Sequence, residues 1–197
     1  MKILFLADLQ SVKYEAWQDF LKIDKNSFDI IATLGDIFGL YLKQTRDAFP
    51  DKKIIGVLGN HDQKGKFAYY NIEDIHNRIV DINGVKIAGI EGCVKYKESD
   101  KFPLYTQFEI IKICHHLDKA DIIISHNSPF GIHDDKEDIA HIGYQGLWEY
   151  IGRHRPKYCV HGHQHIDKVT KYLSTKVIGI HGASIFDINT GCLEKVF

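Results

Sequence analysis

The fold of this chain is decided by the segment KIIGVLGNHD, residues 53–62, in which an apolar run ends in Gly-Asn-His-Asp. The run has the length and composition of a buried β-strand. Just past it, Asn60, His61 and Asp62 place a carboxamide, an imidazole and a carboxylate on successive residues. Open α/β sheets bind ligands beyond the carboxyl ends of their strands, although Gly-Asn is also ordinary turn chemistry. The segment predicts a functional site if other segments converge on it.

Two earlier segments repeat this arrangement of an apolar run followed by polar side chains. Residues 2–7 have the unbroken apolar character of a strand covered on both faces, and Asp8 and Gln10 follow them. Residues 28–33 form a second such run, which leads to Asp36. The connections carry helical patterning, at residues 14–25 and 39–48. Alternating strands and helices predict a parallel sheet with right-handed crossovers.

The middle of the chain changes character. Residues 79–82 and 85–90 are β-favouring runs joined by Asn83-Gly84, a pair that readily takes the positive φ angles of a type I′ hairpin turn. The polar residues 91–101 predict a loop. A helix is expected from its cap, Thr106, to Leu117, and its buried side would be drawn from Phe108, Ile111, Ile113 and Cys114.

The last third supplies histidines at strand ends. A buried strand at residues 121–126 ends in His126, and a short strand at 158–160 leads into His161-Gly-His163-Gln-His165. Between them, residues 143–153 predict a helix with Trp148 in the core. Residues 168–197 predict short antiparallel strands. No linker or repeat interrupts the pattern, so residues 1–197 are expected to form one domain.

The composition argues against some classes of binding partner. Lys and Arg total 25 against 26 Asp and Glu, so the net charge of −1 argues against nucleic acid or an anionic membrane surface as partner. The amino-terminal apolar run is too short to span a membrane. The cysteines lie far apart without a Cys-x-x-Cys pair, which favours reduced thiols. Together these features predict a soluble, cytoplasmic protein, for which a homo-oligomer stays open.

The predicted strand ends together offer a metal-ligand set. Eight of the 12 histidines lie in residues 126–197, and imidazole is the commonest metal ligand in proteins. The candidate ligands are Asp8, Asp36, Asn60, His126, His163 and His165. This mixture of nitrogen and oxygen donors suits Mn, Fe, Zn or Ni better than calcium. Two metals about 3.5 to 4 Å apart can clamp a phosphoryl group and generate hydroxide near neutral pH.

Five short motifs carry a resemblance to a known family. They are Asp8-x-Gln10, Gly35-Asp36, Gly59-Asn60-His61-Asp62, Ser125-His126 and Gly162-His163-Gln164-His165. In this order and spacing, across about residues 3–187, they resemble the motifs of the calcineurin-like metallophosphoesterase superfamily, and residues 125–131 are similar to its small single-domain phosphodiesterases. The resemblance implies a four-layer α/β/β/α sandwich with two mixed β-sheets, and hydrolysis of a phosphoester by a dinuclear metal centre.

The resemblance also implies a role for each motif residue. Asp36 would bridge two divalent metals, with Asp8 and His165 on the first and with Asn60, His126 and His163 on the second. Mn is the expected metal, and Fe, Zn, Ni or Mg are alternatives. His61 would bind the phosphate or protonate the leaving alkoxide, and Asp62 would orient His61. A metal-bridging hydroxide would attack phosphorus in line, while Asn60, His61 and His181 would contact a small phosphoester or nucleotide-type substrate.

The sequence departs from the family pattern at Gln10, where the family usually has a histidine on the first metal. Gln10 either ligates that metal through a neutral oxygen, which would shift the preference toward Mn or Mg, or binds nothing and leaves the first site weak. In a third alternative, His133, His161 or His181 replaces the missing ligand in space. For His161 alone, packing or a supporting hydrogen bond is favoured.

These observations favour a metal-dependent phosphodiesterase. A phosphomonoesterase or nucleotide pyrophosphohydrolase of the same fold is the enzyme alternative. The alternative from another class is a metal-binding protein-interaction scaffold with degraded catalysis, which the altered Gln10 keeps open. His61 favours catalysis, because a scaffold has no need for a leaving-group acid.

Overall fold

Strands and helices alternate along the first part of the chain and give way to hairpins toward its end. The computed structural model describes residues 1–197, apart from the side chain of Ser11. The helices are α1 Tyr14–Phe20, α2 Gly39–Ala48, α3 Gln107–His116 and α4 Gln145–His154. The strands are β1 Lys2–Ala7, β2 Ile30–Thr33, β3 Ile54–Gly56, β4 Glu73–Asp74, β5 Arg78–Ile82, β6 Val85–Ile90, β7 Cys93–Val94, β8 Leu104–Tyr105, β9 Ile122–Ser125, β10 Tyr158–His161, β11 Lys168–Tyr172, β12 Thr175–Gly179, β13 Gly182–Asp187 and β14 Cys192–Lys195.

Two six-stranded mixed sheets contain most of these strands. The first has the order β14-β13-β1-β2-β3-β4, in which β1 to β4 are parallel and β13 is antiparallel to both of its neighbours. The second has the order β11-β12-β10-β9-β6-β5, in which β12, β10, β9 and β6 are parallel and the two edge strands are antiparallel. A short parallel pair, β7-β8, lies outside both sheets.

The apolar residues form three layers of core. Ile3 and Phe5 of β1 face a central core that also contains Ile124 and Val160 of the second sheet. The alternate residues of β1 pack outward with Trp17 of α1 and Leu42 of α2. The outer face of the second sheet packs in the same way against α3 and α4. The predicted α/β/β/α sandwich is therefore confirmed, with an apolar interface between the two sheets.

Several local predictions match the structure closely. Helix α2 occupies the predicted residues 39–48. The β5–β6 hairpin turns at Asn83 and Gly84, whose φ angles are 55° and 81°. Helix α3 begins with a capping box, in which the Thr106 hydroxyl accepts from the Glu109 amide and the Glu109 carboxylate accepts from the Thr106 amide. Such a cap contributes about 1 kcal/mol to stability.

Helix α1 is shorter than predicted. It ends at Phe20 rather than near residue 25, and a turn follows it. The carboxylate of Asp24 then accepts a hydrogen bond from the amide of Asn26 and starts a separate 3₁₀ turn. Short acidic side chains compete in this way with the helical hydrogen-bond pattern, so residues 24–27 form a separate turn.

Two aromatic residues predicted to be buried are exposed. Phe108 is 64% exposed, because α3 packs through Ile110 and Cys114 and leaves Phe108 on its outer side under the ammonium of Lys112. Trp148 is 42% exposed, since α4 packs through Leu147, Tyr150 and Ile151. In both helices, residues one to three positions away from the predicted aromatic residue pack into the core instead, such as Ile110 in α3 and Leu147 in α4.

Two other regions differ in detail from the prediction. The expected loop at residues 91–101 contains the short strand β7. The tail is not purely antiparallel, because β12 lies parallel to β10. None of the described helices has the length and apolar character needed to cross a membrane.

Candidate metal centre

The carboxyl ends of the parallel strands of both sheets meet at one edge of the sandwich. His126, just after β9 in the second sheet, donates from Nδ1 to the carbonyl of Leu34 in the first sheet at 2.7 Å. In return, the amide of His163 donates to Asp8 Oδ2 at 2.8 Å. These bonds connect segments 92 and 155 residues apart in the sequence. The convergence expected from the strand ends is therefore present.

A buried cluster of potential ligand atoms lies at this junction. Asp8, Asp36 and His126 each offer one atom within 4.8 Å of the others. His126 Nε2 is 3.6 Å from Asp36 Oδ2, and His165 Nε2 is 3.7 Å from Asp8 Oδ1. The side chains of Asp8, Asp36 and His126 are at most 3% exposed. Two carboxylates held together away from water are stabilised either by a nearby positive charge or by protonation of one of them.

The hydrogen bonds show atoms that a cation would satisfy. Among the described residues, Asp8 Oδ1 is buried without a hydrogen-bond partner. His126 donates from Nδ1 to a carbonyl, so its neutral ring presents a lone pair at Nε2, which lies 2.8 Å from Asn60 Oδ1. Two facing acceptors repel unless a cation lies between or beside them. The residues present therefore fit a bound metal ion.

Burial favours the neutral form of the histidines in the cluster. Burial lowers the pKa of His126 to about 4. Burial, helped by the neighbouring His126, lowers the pKa of His163 to about 3. Burial and then His181 also lower the pKa of His165. His163 donates from Nε2 to the carbonyl of Ala140 at 2.7 Å, which leaves its Nδ1 lone pair free. Neutral imidazoles with free lone pairs are the form that binds metals.

The carboxylate of Asp8 has the opposite shift. Its burial raises its pKa well above the usual value, the nearby charge of Asp36 adds to this effect, and the amide of His163 opposes it. A bound cation would oppose this increase in the pKa, because it favours the charged carboxylate.

Four candidate ligands have strained backbones. Asp8, Asp36, His163 and His165 have φ angles of 54°, 55°, 65° and 50°, in the left-handed region that L-residues other than glycine rarely adopt. Each such residue costs on the order of 1 kcal/mol. The strain turns the chain sharply at each strand end, and strain of this kind clusters at functional sites.

Two glycines allow the motifs to approach each other. A Cβ atom on Gly59 would lie 2.1 Å from Asp36 Oδ1, and one on Gly35 would lie 2.4 Å from the amide nitrogen of Gly59. Gly35 also has a φ of 95°. Any side chain at either position would separate the second and third strand ends.

Asp62 has a different environment from the one expected. Its Oδ2 accepts from the amides of Asp36 and Gly59 at 2.8 and 2.9 Å, and its Oδ1 pairs with Lys66 Nζ at 2.6 Å. The Asp62 carboxylate ties the Asp36 loop to the Gly59 loop, and its expected role in orienting the His61 ring stays a prediction. This bracing holds a candidate ligand in place indirectly.

His61, Gln10 and His181 lie around the cluster. The amide of His61 donates to Asp36 Oδ1 at 2.9 Å, while its ring Nε2 is 4.0 Å from Asp36 Oδ2 and its side chain is 62% exposed. Gln10 is exposed and lines a cavity beside the cluster. The ring of His181 stacks on that of His165, with centroids 5.1 Å apart.

His161 and His133 form a separate chain of hydrogen bonds. His161 donates from Nδ1 to the carbonyl of Gly162 and accepts at Nε2 from His133 Nδ1 at 2.9 Å. His133 in turn accepts at Nε2 from the Thr170 hydroxyl at 2.7 Å. All four ring nitrogens are engaged, so these two histidines support the His163 segment rather than face the cluster.

The cavity beside the cluster has a volume of about 530 Å³ and is lined by Gln10, Asp36, Phe38, Asn60, His61, Tyr96, Ala140, His141, His163 and His165. Sequence reasoning missed Phe38, Tyr96 and His141. His141 stacks on His163 at 4.7 Å between centroids and bonds to Asp138. Phe38 could have been found from its position two residues after Asp36, whereas Tyr96 lies in a loop without a motif.

Several solved structures have a similar fold. The protein TT1561 of Thermus thermophilus superposes with a TM-score of 0.75 at 16% identity, over 100% of this chain and 99% of that chain. A novel archaeal phosphodiesterase gives a TM-score of 0.55 at 14% identity, over 98% of both chains. A dimetal phosphatase from Danio rerio gives 0.59 at 10% identity, over 94% of this chain and 91% of that chain. No curated protein sequence matches the chain.

At these identities the solved structures show the fold. The sequence pattern of the family described as calcineurin-like phosphoesterase matches residues 1–167, which contain all of the motifs that converge at the cluster. The chain therefore belongs to the calcineurin-like phosphoesterase family and is a phosphoric ester hydrolase.

Proposed function

We propose that this hydrolase is a phosphodiesterase that uses two divalent metal ions. The observation that carries the proposal is the set of buried acceptors without a positive partner: Asp8 Oδ1, and His126 Nε2 against Asn60 Oδ1. These atoms come from the strand ends of both sheets. The family match and the candidate site support metal-dependent hydrolysis.

The proposed ligands fall into two groups around Asp36. On one side, Asp8 and His165 approach each other to 3.7 Å. On the other side, His126 contacts Asn60, and the rings of His126 and His163 lie 4.8 Å apart between centroids. Asp36 lies between the groups, because its carboxylate is 3.6 Å from His126 and is part of the same cluster as Asp8. This arrangement supports Asp36 as the bridging ligand.

When bound, the metal ions would polarise the phosphoryl oxygens and lower the pKa of a bound water toward neutrality. Mn is the proposed metal, because the donors mix imidazole nitrogen with carboxylate and amide oxygen, and the neutral oxygen of Gln10 would be a harder ligand than histidine. Gln10 lines the cavity, so it either ligates the first metal or leaves one of that metal's coordination positions open.

His61 is the proposed catalytic group of the chain. Its ring is largely exposed and lines the cavity, while its amide fixes the loop onto Asp36. A histidine in this position can donate a proton to the leaving alkoxide or hold a phosphoryl oxygen. Asn60 and His181, which lie on either side of the cluster, are the further proposed substrate contacts.

A phosphomonoesterase is the second candidate, since one solved structure of this fold is a dimetal phosphatase and another is a phosphodiesterase. The diester is favoured because the small single-domain enzymes that the motifs resemble act on diesters. The expected cytoplasmic compartment, the organisation of residues 1–197 as one domain and a homo-oligomeric state stay predictions.

Steady-state kinetics with bis-p-nitrophenyl phosphate and p-nitrophenyl phosphate test the proposal. With Mn²⁺ after removal of bound metal by a chelator, we expect the diester to have the higher kcat/KM and the chelated protein to be inactive. Faster turnover of the monoester would replace the diesterase with the phosphatase. Full activity in the chelated protein would contradict metal dependence.

A further inference from the structure

The cavity beside the metal centre has two aromatic rings that the proposed chemistry does not use. Phe38 and Tyr96 line it together with His61 and four of the candidate ligands. They come from the start of α2 and from the β7–β8 segment, 58 positions apart in the sequence. Neither residue is among the proposed metal ligands, so both side chains are available for packing or substrate recognition.

Packing explains Phe38 only in part, because its ring contacts that of Tyr41 with the centroids 6.3 Å apart. The side chain is 56% exposed, although phenylalanine is among the residues most often buried. Its backbone is well fixed, since its carbonyl accepts from the amides of Tyr41 and Leu42 at 2.9 and 3.1 Å and begins α2. A rigid backbone therefore holds an apolar ring at the edge of a polar site, two residues after Asp36.

Tyr96 is held in a comparable way. The amide of the preceding residue, Lys95, donates to the carbonyl of Tyr105 at 2.9 Å and attaches this segment to β8. The ammonium of Lys97 lies 5.1 Å from the centroid of the Tyr96 ring and 5.3 Å from that of Phe102. Such a cation–π contact restricts the position of the Tyr96 ring.

The volume of the cavity matches this recognition role. At about 530 Å³ it has the size of a small-molecule site and exceeds what a phosphate group alone would fill. Because candidate ligands and the two rings line the same cavity, a ligand with its phosphate at the cluster can contact Phe38 or Tyr96. Aromatic side chains bind planar bases by stacking without regard to base identity.

We propose that Phe38 and Tyr96 form a stacking site for a planar, nucleobase-sized group, so that the substrate is a nucleotide-type phosphoester. This inference rests on the proposed function, because it places the phosphate at the metal cluster. Phe38 and Tyr96 would determine which substrates bind, while the reaction itself is carried by the cluster and His61.

Calorimetric titration of the Mn²⁺-loaded protein with AMP and with ribose 5-phosphate tests the stacking site, because the two probes differ only in the base. We expect AMP to bind about tenfold more tightly, and Phe38→Ala to remove most of that ratio. Phe38→Tyr keeps a ring and should retain the ratio. Phe108→Ala removes a comparably exposed phenylalanine that does not line the cavity and should behave as the wild type.

Equal affinities for the two probes in the wild type, or an unchanged ratio in Phe38→Ala, would overturn the stacking site. Release of phosphate during the titration would show monoester turnover, and the ratio of kcat/KM values for the two probes would then replace the ratio of affinities. Hydrolysis of methyl p-nitrophenyl phosphate, which has no base, reports on the proposed function separately. Turnover without base discrimination defeats the inference alone, and discrimination without turnover defeats the proposed function alone.

Discussion

His126 Nε2 lies 2.8 Å from Asn60 Oδ1, and neither atom has a proton to donate once His126 Nδ1 has bonded to the Leu34 carbonyl. The two residues belong to different sheets, so the folded chain itself brings two lone pairs together. With the buried carboxylates of Asp8 and Asp36 beside them, these atoms form a group of acceptors that a cation would stabilise. The following predictions depend on that property.

Gln10→His should restore a stronger ligand to the first metal site. Gln10 is exposed at the cavity edge, so an imidazole at this position can be accommodated without repacking. We expect the weaker metal-binding event to tighten by about tenfold or more, a typical scale for changes in a metal's ligand environment. Calorimetry with Mn²⁺ on the metal-free protein measures it. Unchanged affinity and stoichiometry would mean that residue 10 does not contact the metal.

Asp62→Ala should destabilise the protein rather than act on His61 alone. The substitution removes the acceptor of two buried amides and leaves Lys66, which is 16% exposed, without its carboxylate. We expect a loss of about 3 kcal/mol in the free energy of unfolding, as for other broken buried pairs. Urea denaturation measures it.

The matched control for Asp62→Ala is Asp19→Ala, which breaks an exposed ion pair with Lys22 and should change stability by less than about 1 kcal/mol. An Asp62→Ala variant with wild-type stability and a selective loss of kcat would support instead the role of orienting His61.

His61→Gln should lower catalysis without removing metal. The His61 side chain is 62% exposed and its ring remains 4.0 Å from Asp36, so the cluster does not depend on it. We expect kcat for a diester with an alkyl leaving group to fall about 10²- to 10⁴-fold, the usual contribution of a general acid. The fall should be much smaller for a p-nitrophenyl leaving group, which departs without protonation. Equal losses for both leaving groups would argue against proton donation by His61.

How far the sequence predicts the structure depends on what each residue contacts. The strand ends at Asp8, Asp36 and Asn60 were predictable, because apolar runs and their polar termini are local patterns that also determine the sheet. The convergence of His126 and His163 followed from the family motifs. These residues are brought together in the structure as expected, and their roles as ligands stay predictions.

Other features could not be predicted because they depend on contacts between distant segments. The Asp62 carboxylate accepts a hydrogen bond from the Asp36 amide, and this bond depends on how two loops that are distant in the sequence meet. Trp148 and Phe108 are exposed because their helices pack through adjacent residues. The position of Tyr96 beside the cavity results from the path of the β7–β8 segment, which has no signal in the sequence.

Glu91 should make stability depend on pH. It is buried at the end of β6, accepts from the Tyr105 hydroxyl, and lies 3.8 Å from His76. Burial raises its pKa to about 7 from an unfolded value near 4.5. The protonated form therefore stabilises the fold fully below about pH 4.5, and this contribution is lost as pH rises through about 7.

Comparison of the wild type with Glu91→Gln isolates this contribution, because the buried histidines titrate in both proteins. The unfolding free energy of the metal-free wild type, relative to the variant, should fall by about 2 to 3 kcal/mol between pH 5 and pH 8. Urea denaturation at both pH values measures the difference. A constant difference would show that Glu91 does not titrate in this range.

The most direct test of the account is metal content measured together with diester hydrolysis, in the wild type and in Asp36→Asn. We predict about two divalent ions per chain and hydrolysis of bis-p-nitrophenyl phosphate by the wild type. Asp36→Asn should lose at least one ion and most of the activity, whereas Asp47→Asn, in an exposed pair on α2, should resemble the wild type. A wild-type protein that binds no transition metal and hydrolyses no diester would contradict the account.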